Sequence, residues 1–187
     1  MRTRPLIAAA TAIGLGAATA VIAVTLSPPA TAQVAGGFDF TRPEVVATGL
    51  NVPWGLTFLP DGSALVAERN TARIWQLRPG QPAQVVGTVP GVQASGEGGL
   101  LGLAVSPTYA QDQWVYAFYS TATDNRIARF RLNAIQNQQV ILSGLTRGTI
   151  HDGGRIAFGP DGMLYAGVGD AGNSANAQNL QSLNGKI

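Results

Sequence analysis

The chain has 187 residues, 45% hydrophobic and 12% charged, with 24 glycines, 11 prolines and no cysteine. So low a charged fraction excludes a disordered, solvating chain, and the lack of cysteine excludes disulfides, thiolate metal sites and a cysteine nucleophile. The formal net charge of +2 rests on Arg2 and Arg4; without them acids and bases balance, so charge gives no argument for nucleic-acid binding.

Residues 1–5 carry those two arginines, and 6–26 form an apolar stretch closed by Ser27-Pro28-Pro29. Ala30-Thr31-Ala32 then offers small residues of the kind a signal peptidase cuts after, before Gln33. The pattern predicts a cleavable signal peptide over 1–32 and a periplasmic or secreted mature domain over 33–187. An uncleaved anchor is the competing reading, because the apolar stretch is long enough to span a bilayer. Gly14, Gly16 and the threonines weaken such a helix. No later apolar run approaches that length, so no membrane contact is expected once the signal is removed.

Beyond Gln33 the apolar residues do not keep helical spacing. Runs at 55–58, 64–68, 101–105, 115–119, 126–132, 155–158 and 164–168 are predicted as short strands. They are β-branched and aromatic, and Gly, Pro, Asn and Asp separate them. Pro60-Asp61-Gly62 and Pro160-Asp161-Gly162 follow Phe58 and Phe158 at the same offset. Proline fixes φ and glycine accepts positive φ, so each predicts a tight strand-turn-strand hairpin.

Trp54-Gly55-Leu56-Thr57-Phe58, Leu101-Gly102-Leu103-Ala104-Val105 and Gly154-Arg155-Ile156-Ala157-Phe158 share one shape. Pro60, Pro107 and Pro160 mark a repeat of about fifty residues, the spacing of a β-propeller blade. A β-sandwich also alternates strands and turns, but gives no reason for the same proline unit to recur at that interval. The expected fold is therefore an all-β propeller with about three blades in 33–187, where a closed ring takes roughly four to eight. From this the chain is expected to be the front part of a longer protein, with two blade faces uncovered.

His151 is the only histidine. It follows a polar, turn-rich stretch at 143–149 and precedes Asp152-Gly153-Gly154-Arg155. At the start of an innermost strand, its imidazole would be a general base near neutral pH; the plain alternative is a loop histidine without a role. Across the Pro160 hairpin, residues near 170 lie opposite residues near 151, so Asp170 is predicted beside His151, either orienting it or simply capping its own turn. The glycines around Asp170 are no dinucleotide fingerprint, since no βαβ unit surrounds them. Glu97 sits among glycines in Ser95-Gly96-Glu97-Gly98-Gly99, as a solvated loop acid or a site group. Arg126, Arg129 and Arg131 read as strand-surface charge, with Arg126 on the opposite face from the other two.

These segments resemble the glucose/sorbosone dehydrogenase family, which includes soluble quinoprotein glucose dehydrogenase and the aldose sugar dehydrogenases. The resemblance lies in 96–104 with Pro107, Asp124-Asn125-Arg126-Ile127, the run 151–162, Gly169-Asp170, Ala177-Gln178-Asn179-Leu180 and Leu183-Asn184-Gly185-Lys186. It implies a six-bladed propeller that uses pyrroloquinoline quinone (PQQ), usually with Ca2+, to oxidise the C1 hydroxyl of an aldose to a lactone. An external electron acceptor is implied with it. His151 matches the catalytic base and Asp170 the acid that orients it. Gln178 matches a glutamine near the cofactor, and Arg155 a strand arginine placed with it.

Glu97 stands at a substrate-side position where such enzymes often carry glutamine, and Ile150 where the glucose enzyme has aspartate. The family's calcium ligands and the basic residues that grip the quinone lie in its second half, so this chain alone is expected to be inactive. A non-catalytic propeller module binding carbohydrate or protein is the alternative. A propeller lactone hydrolase, with only Glu97 and Asp170 as metal candidates, is a third.

Overall fold

A computed structural model describes residues 41–187; the signal-peptide expectation and the first residues of the mature domain lie outside them. Two units divide the chain, 1–43 and 44–187, and the architecture below is that of the second.

The first strands are β1 (Pro53–Phe58), β2 (Ala64–Glu68), β3 (Arg73–Leu77) and β4 (Gln84–Thr88), an antiparallel meander in that order. The second meander is β5 (Leu100–Val105), β6 (Val115–Ser120), β7 (Asn125–Phe130) and β8 (Gln139–Leu145). The hairpin β9 (Gly153–Phe158) and β10 (Leu164–Val168) forms the third sheet, and Lys186 bridges to Val168 on the far edge of β10. The helices among the described residues are short: the single turns α1 (Tyr109–Asp112) and α2 (Ala175–Gln178), and a 3-10 helix at Leu132–Asn137 kinked at Ala134.

The paired prolines do what their chemistry dictates. Gly62 N–H donates to Leu59 O at 2.9 Å and Gly162 N–H to Gly159 O at 3.0 Å, each closing a tight turn. Both glycines have positive φ, +81° and +76°. After Pro107 the connection is longer and holds α1, whose Asp112 accepts from Ser106 Oγ at 2.7 Å and the Trp114 N–H at 2.9 Å.

The first strands of the three sheets stand side by side, β1 against β5 and β5 against β9. Glycine permits this approach. A Cβ on Gly55 would lie 2.2 Å from Leu101 O, and one on Gly102 would lie 2.1 Å from Gly154 O. The repeated small residue in each first strand is thus where the blades converge.

β5 and β6 of the middle sheet are buried almost throughout, which is why they read as nearly continuous apolar runs, whereas β8 at its edge is exposed. Leu100, Leu103, Val115, Ala117 and Tyr119 pack toward the first sheet with Leu65 and Ile74. Leu101, Ala104, Phe118 and Ile127 pack toward the third with Ile156. The outer blades keep one open side. Leu56 and Phe58 of β1 are 52% and 64% exposed, and Tyr165 of β10 is 49% exposed. This is the all-β, partial propeller expected from the repeat.

The strand expectations need correction in places. β3, β4 and β8 were not anticipated, because Arg73–Leu77 and Gln84–Thr88 are half polar and Gln139–Leu145 follows a helical turn. Ser143 lies in β8, so the turn-rich approach to His151 is shorter than 143–149. The strand expected at 126–132 ends at Phe130, and Leu132 opens the 3-10 helix.

Candidate active site

Three loops meet at one end of the sheets: 95–99 leading into β5, 146–152 leading into β9, and 169–174 leaving β10. The last two are joined by the ladder that the Pro160 turn starts. Phe158 pairs Leu164 and Arg155 pairs Gly167, but a bulge then sets Val168 opposite Gly153. Continued past the strand ends, that one-residue shift brings Asp170 level with His151 rather than with Asp152.

The side chains meet accordingly. His151 Nδ1 lies 2.9 Å from Asp170 Oδ1, and the same oxygen accepts the Gly172 N–H at 2.9 Å. The hydrogen bond from His151, then that from Gly172, holds the Asp170 carboxyl below its ordinary value of 3.8. An ionised carboxylate only accepts, so Nδ1 carries the proton of this hydrogen bond, and in the neutral ring Nε2 is then the acceptor. The imidazole is 58% exposed and the carboxylate 23%.

His151 sits in the left-handed region with φ 58°. Its N–H donates to Glu97 Oε2 at 2.6 Å, and its carbonyl accepts the Ala171 N–H at 3.1 Å. The Glu97 N–H in turn donates to Thr149 O at 3.0 Å. Glu97 is therefore bound to the histidine loop, not simply solvated as a loop acid.

Behind the exposed histidine its neighbour Asp152 is buried, 1% exposed. Oδ1 of Asp152 accepts from the Gly148 N–H and from Asn125 Nδ2, both at 2.9 Å, and Ser120 Oγ donates to Asn125 Oδ1 at 2.6 Å. Oδ2 of Asp152 has no partner among the described residues. Asn184 ties the two loops together, donating to Thr146 O at 2.8 Å and Gly169 O at 3.0 Å. Asp152, Asn125 and Asn184 lie within the motifs that carry the family resemblance, but their residue types alone point to no chemistry. Membership of those motifs was the signal that marked them.

Arg155 makes no hydrogen bond to the imidazole pair among the described residues; its guanidinium lies 4.3 Å from the centre of the Trp54 ring. It makes no ion pair among the described residues. Together with Trp54, Gly153, Gly169 and Lys186 it lines a cavity of about 590 Å³. Lys186 Nζ is occupied by the carbonyls of Asn176 and Ala177, at 2.8 and 3.0 Å. Gln178, at the end of α2, is exposed, does not line that cavity and makes no side-chain hydrogen bond among the described residues. The four-residue α2 is the only helix after Asp170 among those residues, far short of a dinucleotide-binding helix.

Arg126 pairs with Asp124 at 2.8 Å, while Arg129 and Arg131 stack on Trp114 at 4.5 and 4.4 Å. Among the described residues no three His, Asp or Glu gather as a metal site, and no helix is long and apolar enough to cross a membrane.

Residues 50–187 match the family model described as Glucose / Sorbosone dehydrogenase. The chain is 32% identical to aldose sugar dehydrogenase YliI of Escherichia coli, over 77% of this chain and 42% of that protein. It is 29% identical to quinoprotein glucose dehydrogenase B of Acinetobacter calcoaceticus, over 70% and 31%. The structure of the PQQ-bound form of aldose sugar dehydrogenase from Streptomyces coelicolor superposes with a TM-score of 0.73 at 47% identity, covering 77% of this chain and 46% of that one. The chain spans less than half the length of each of these relatives.

Proposed function

The chain belongs to the glucose/sorbosone dehydrogenase family over residues 50–187, and on that premise we propose that it supplies the general base of an exported, PQQ-dependent dehydrogenase that oxidises the C1 hydroxyl of an aldose to a lactone. The observation that carries the reading is the exposed imidazole held 2.9 Å from Asp170. With Nδ1–H committed to the carboxylate, Nε2 faces outward as the acceptor for the sugar hydroxyl proton. Asp170 then stabilises the imidazolium that forms and keeps the ring from turning.

PQQ, when bound, supplies a two-electron acceptor for the hydride that leaves the sugar carbon. The residues present fit one side of such a planar anion. Arg155 is a cation without a carboxylate partner among the described residues, and it lines the glycine-edged cavity with Trp54. Arg155 is the group that would hold a quinone carboxylate there. Gln178 and Ca2+ enter the proposal on the family pattern alone, as does the external acceptor that reoxidises the quinone. Glu97 Oε1 has no hydrogen bond among the described residues and is the substrate-side contact of the proposal. Export rests on the sequence of 1–32.

The test is dye-linked aldose oxidation by the full-length protein reconstituted with quinone and calcium. His151→Ala is expected to lower kcat by about 10²–10⁴-fold, with the absorbance titration of quinone unchanged. Wild-type turnover in that variant rejects the mechanism.

A further inference from the structure

Resting on that reading of His151, we infer that Glu97 is a positioning residue: its carboxylate clamps the His151 peptide in the left-handed conformation from which the imidazole reaches Asp170. A non-glycine residue at φ 58° is strained and persists only where its surroundings over-determine it. Here they do so from both ends of the residue. The carbonyl accepts the Ala171 N–H at 3.1 Å, and the N–H donates to Glu97 Oε2 at 2.6 Å.

The second bond has no substitute. Among the described residues the His151 N–H has no other acceptor, and β9 begins only at Gly153. A hydrogen bond to an ionised oxygen is short and about twice as strong as a neutral one, so the clamp is well matched to a strained peptide.

Glu97 is itself fixed. Its own N–H donates to Thr149 O at 3.0 Å, so the 95–99 loop grips the histidine loop at two points, two residues apart. Glu97 lies 54 residues before His151 and in the segment that opens β5. The clamp therefore refers the base to the middle sheet through its buried first strand. Asp170 refers it to its own hairpin. The imidazole is thereby held by two sheets at once, and Glu97 sets the backbone from which Asp170 sets the ring.

Three variants test this in the full-length protein. Glu97→Gln keeps a carbonyl acceptor at the same reach, Glu97→Asp keeps the charge but withdraws it by one methylene, and Glu97→Ala removes the acceptor. Positioning predicts that Glu97→Asp and Glu97→Ala each lose about 10-fold or more in kcat, over and above any rise in KM from loss of the substrate-side Oε1 contact. Glu97→Gln is expected to restore kcat to within about three-fold. A substitution series in which Glu97→Gln raises KM as far as Glu97→Ala, with kcat unchanged, overturns the clamp in favour of substrate contact alone.

A second measurement does not depend on the redox reading. The His151 amide proton, bonded to a carboxylate, is expected far downfield and slow to exchange; in Glu97→Ala it moves upfield and exchanges faster, and the imidazole ¹⁵N shifts report loss of the single Nδ1–H tautomer. An amide and ring unmoved in Glu97→Ala refute the inference even if the protein proves to be a dehydrogenase. Moved signals in a protein without turnover refute the dehydrogenase and leave the clamp standing.

Discussion

Gly169→Ala is the sharpest single test of how the candidate site is held. A Cβ at this position would lie 1.7 Å from His151 O and 2.4 Å from its carbonyl carbon, both backbone atoms that no rotamer change can move aside. The two segments must separate by more than about 1 Å before that contact becomes tolerable. Gly169 has little freedom to retreat: its carbonyl accepts from the Gly185 N–H at 2.8 Å and Asn184 Nδ2 at 3.0 Å. The histidine peptide must therefore move, and with it the 2.9 Å contact to Asp170.

Misplacing a general base by that much costs about 10²-fold in kcat. Overpacking costs about 1–3 kcal/mol of stability, which is about 2–4 °C in Tm for each kcal/mol. Steady-state aldose oxidation and a thermal melt followed by circular dichroism read the two effects separately. Gly62→Ala is the control, because Gly62 has φ +81° and no atom within 4 Å of its Cβ position. Its backbone strain is expected to cost about 1–2 kcal/mol with kcat untouched. Gly169→Ala with wild-type kcat would refute the idea that this close backbone approach places the base.

Other perturbations probe the frame and the proposed cofactor side. Ile156→Ala empties a side chain buried between the second and third sheets and is expected to cost about 2–5 kcal/mol, read as a lower melting temperature. Burial opposes ionisation of Asp124, but hydrogen bonds from Thr121 and the Gly144 N–H, with Arg126, outweigh it and hold its carboxyl below 3.8. A depressed folded-state value means stability that is present above pH 3.8 and lost as pH falls through the folded value. The Tm deficit of Asp124→Asn is therefore expected at neutral pH and should shrink below about pH 3.8; a deficit constant with pH would show that the charge is irrelevant. Arg155→Ala is expected to weaken quinone binding about 10-fold, the worth of one charge-assisted hydrogen bond, in an absorbance titration; unchanged affinity removes Arg155 from the cofactor side.

Much of this molecule was written locally. Each Pro-Asp-Gly turn specifies its hairpin through the backbone preferences of its own residues, and an antiparallel ladder is then counting. That is why the Pro160 turn places residues near 170 opposite residues near 151, the bulge then choosing His151 over Asp152. The recurrence of Gly55 and Gly102 in matching first strands announced blades, because glycine there is needed wherever two blades approach. The strands missed were those without such signals. Arg73–Leu77 shows its core side only through Ile74, which is fully buried, and Gln84–Thr88 has no buried residue at all.

What the sequence by itself determined was the alternation of short strands and turns and the hairpin that sets residues near 170 opposite residues near 151, since both depend on neighbours within some twenty positions; the repeat shows because the same local signals recur about every fifty residues. Tertiary structure alone decided that His151 faces outward while Asp152 is buried, because the bulge at Gly167 and Val168 shifts the pairing by one residue, and one residue in a strand exchanges faces. It also decided what Glu97 touches. A loop glutamate has no local preference for a backbone amide 54 residues away, and only the packing of one blade on the next brings the two within hydrogen-bonding distance.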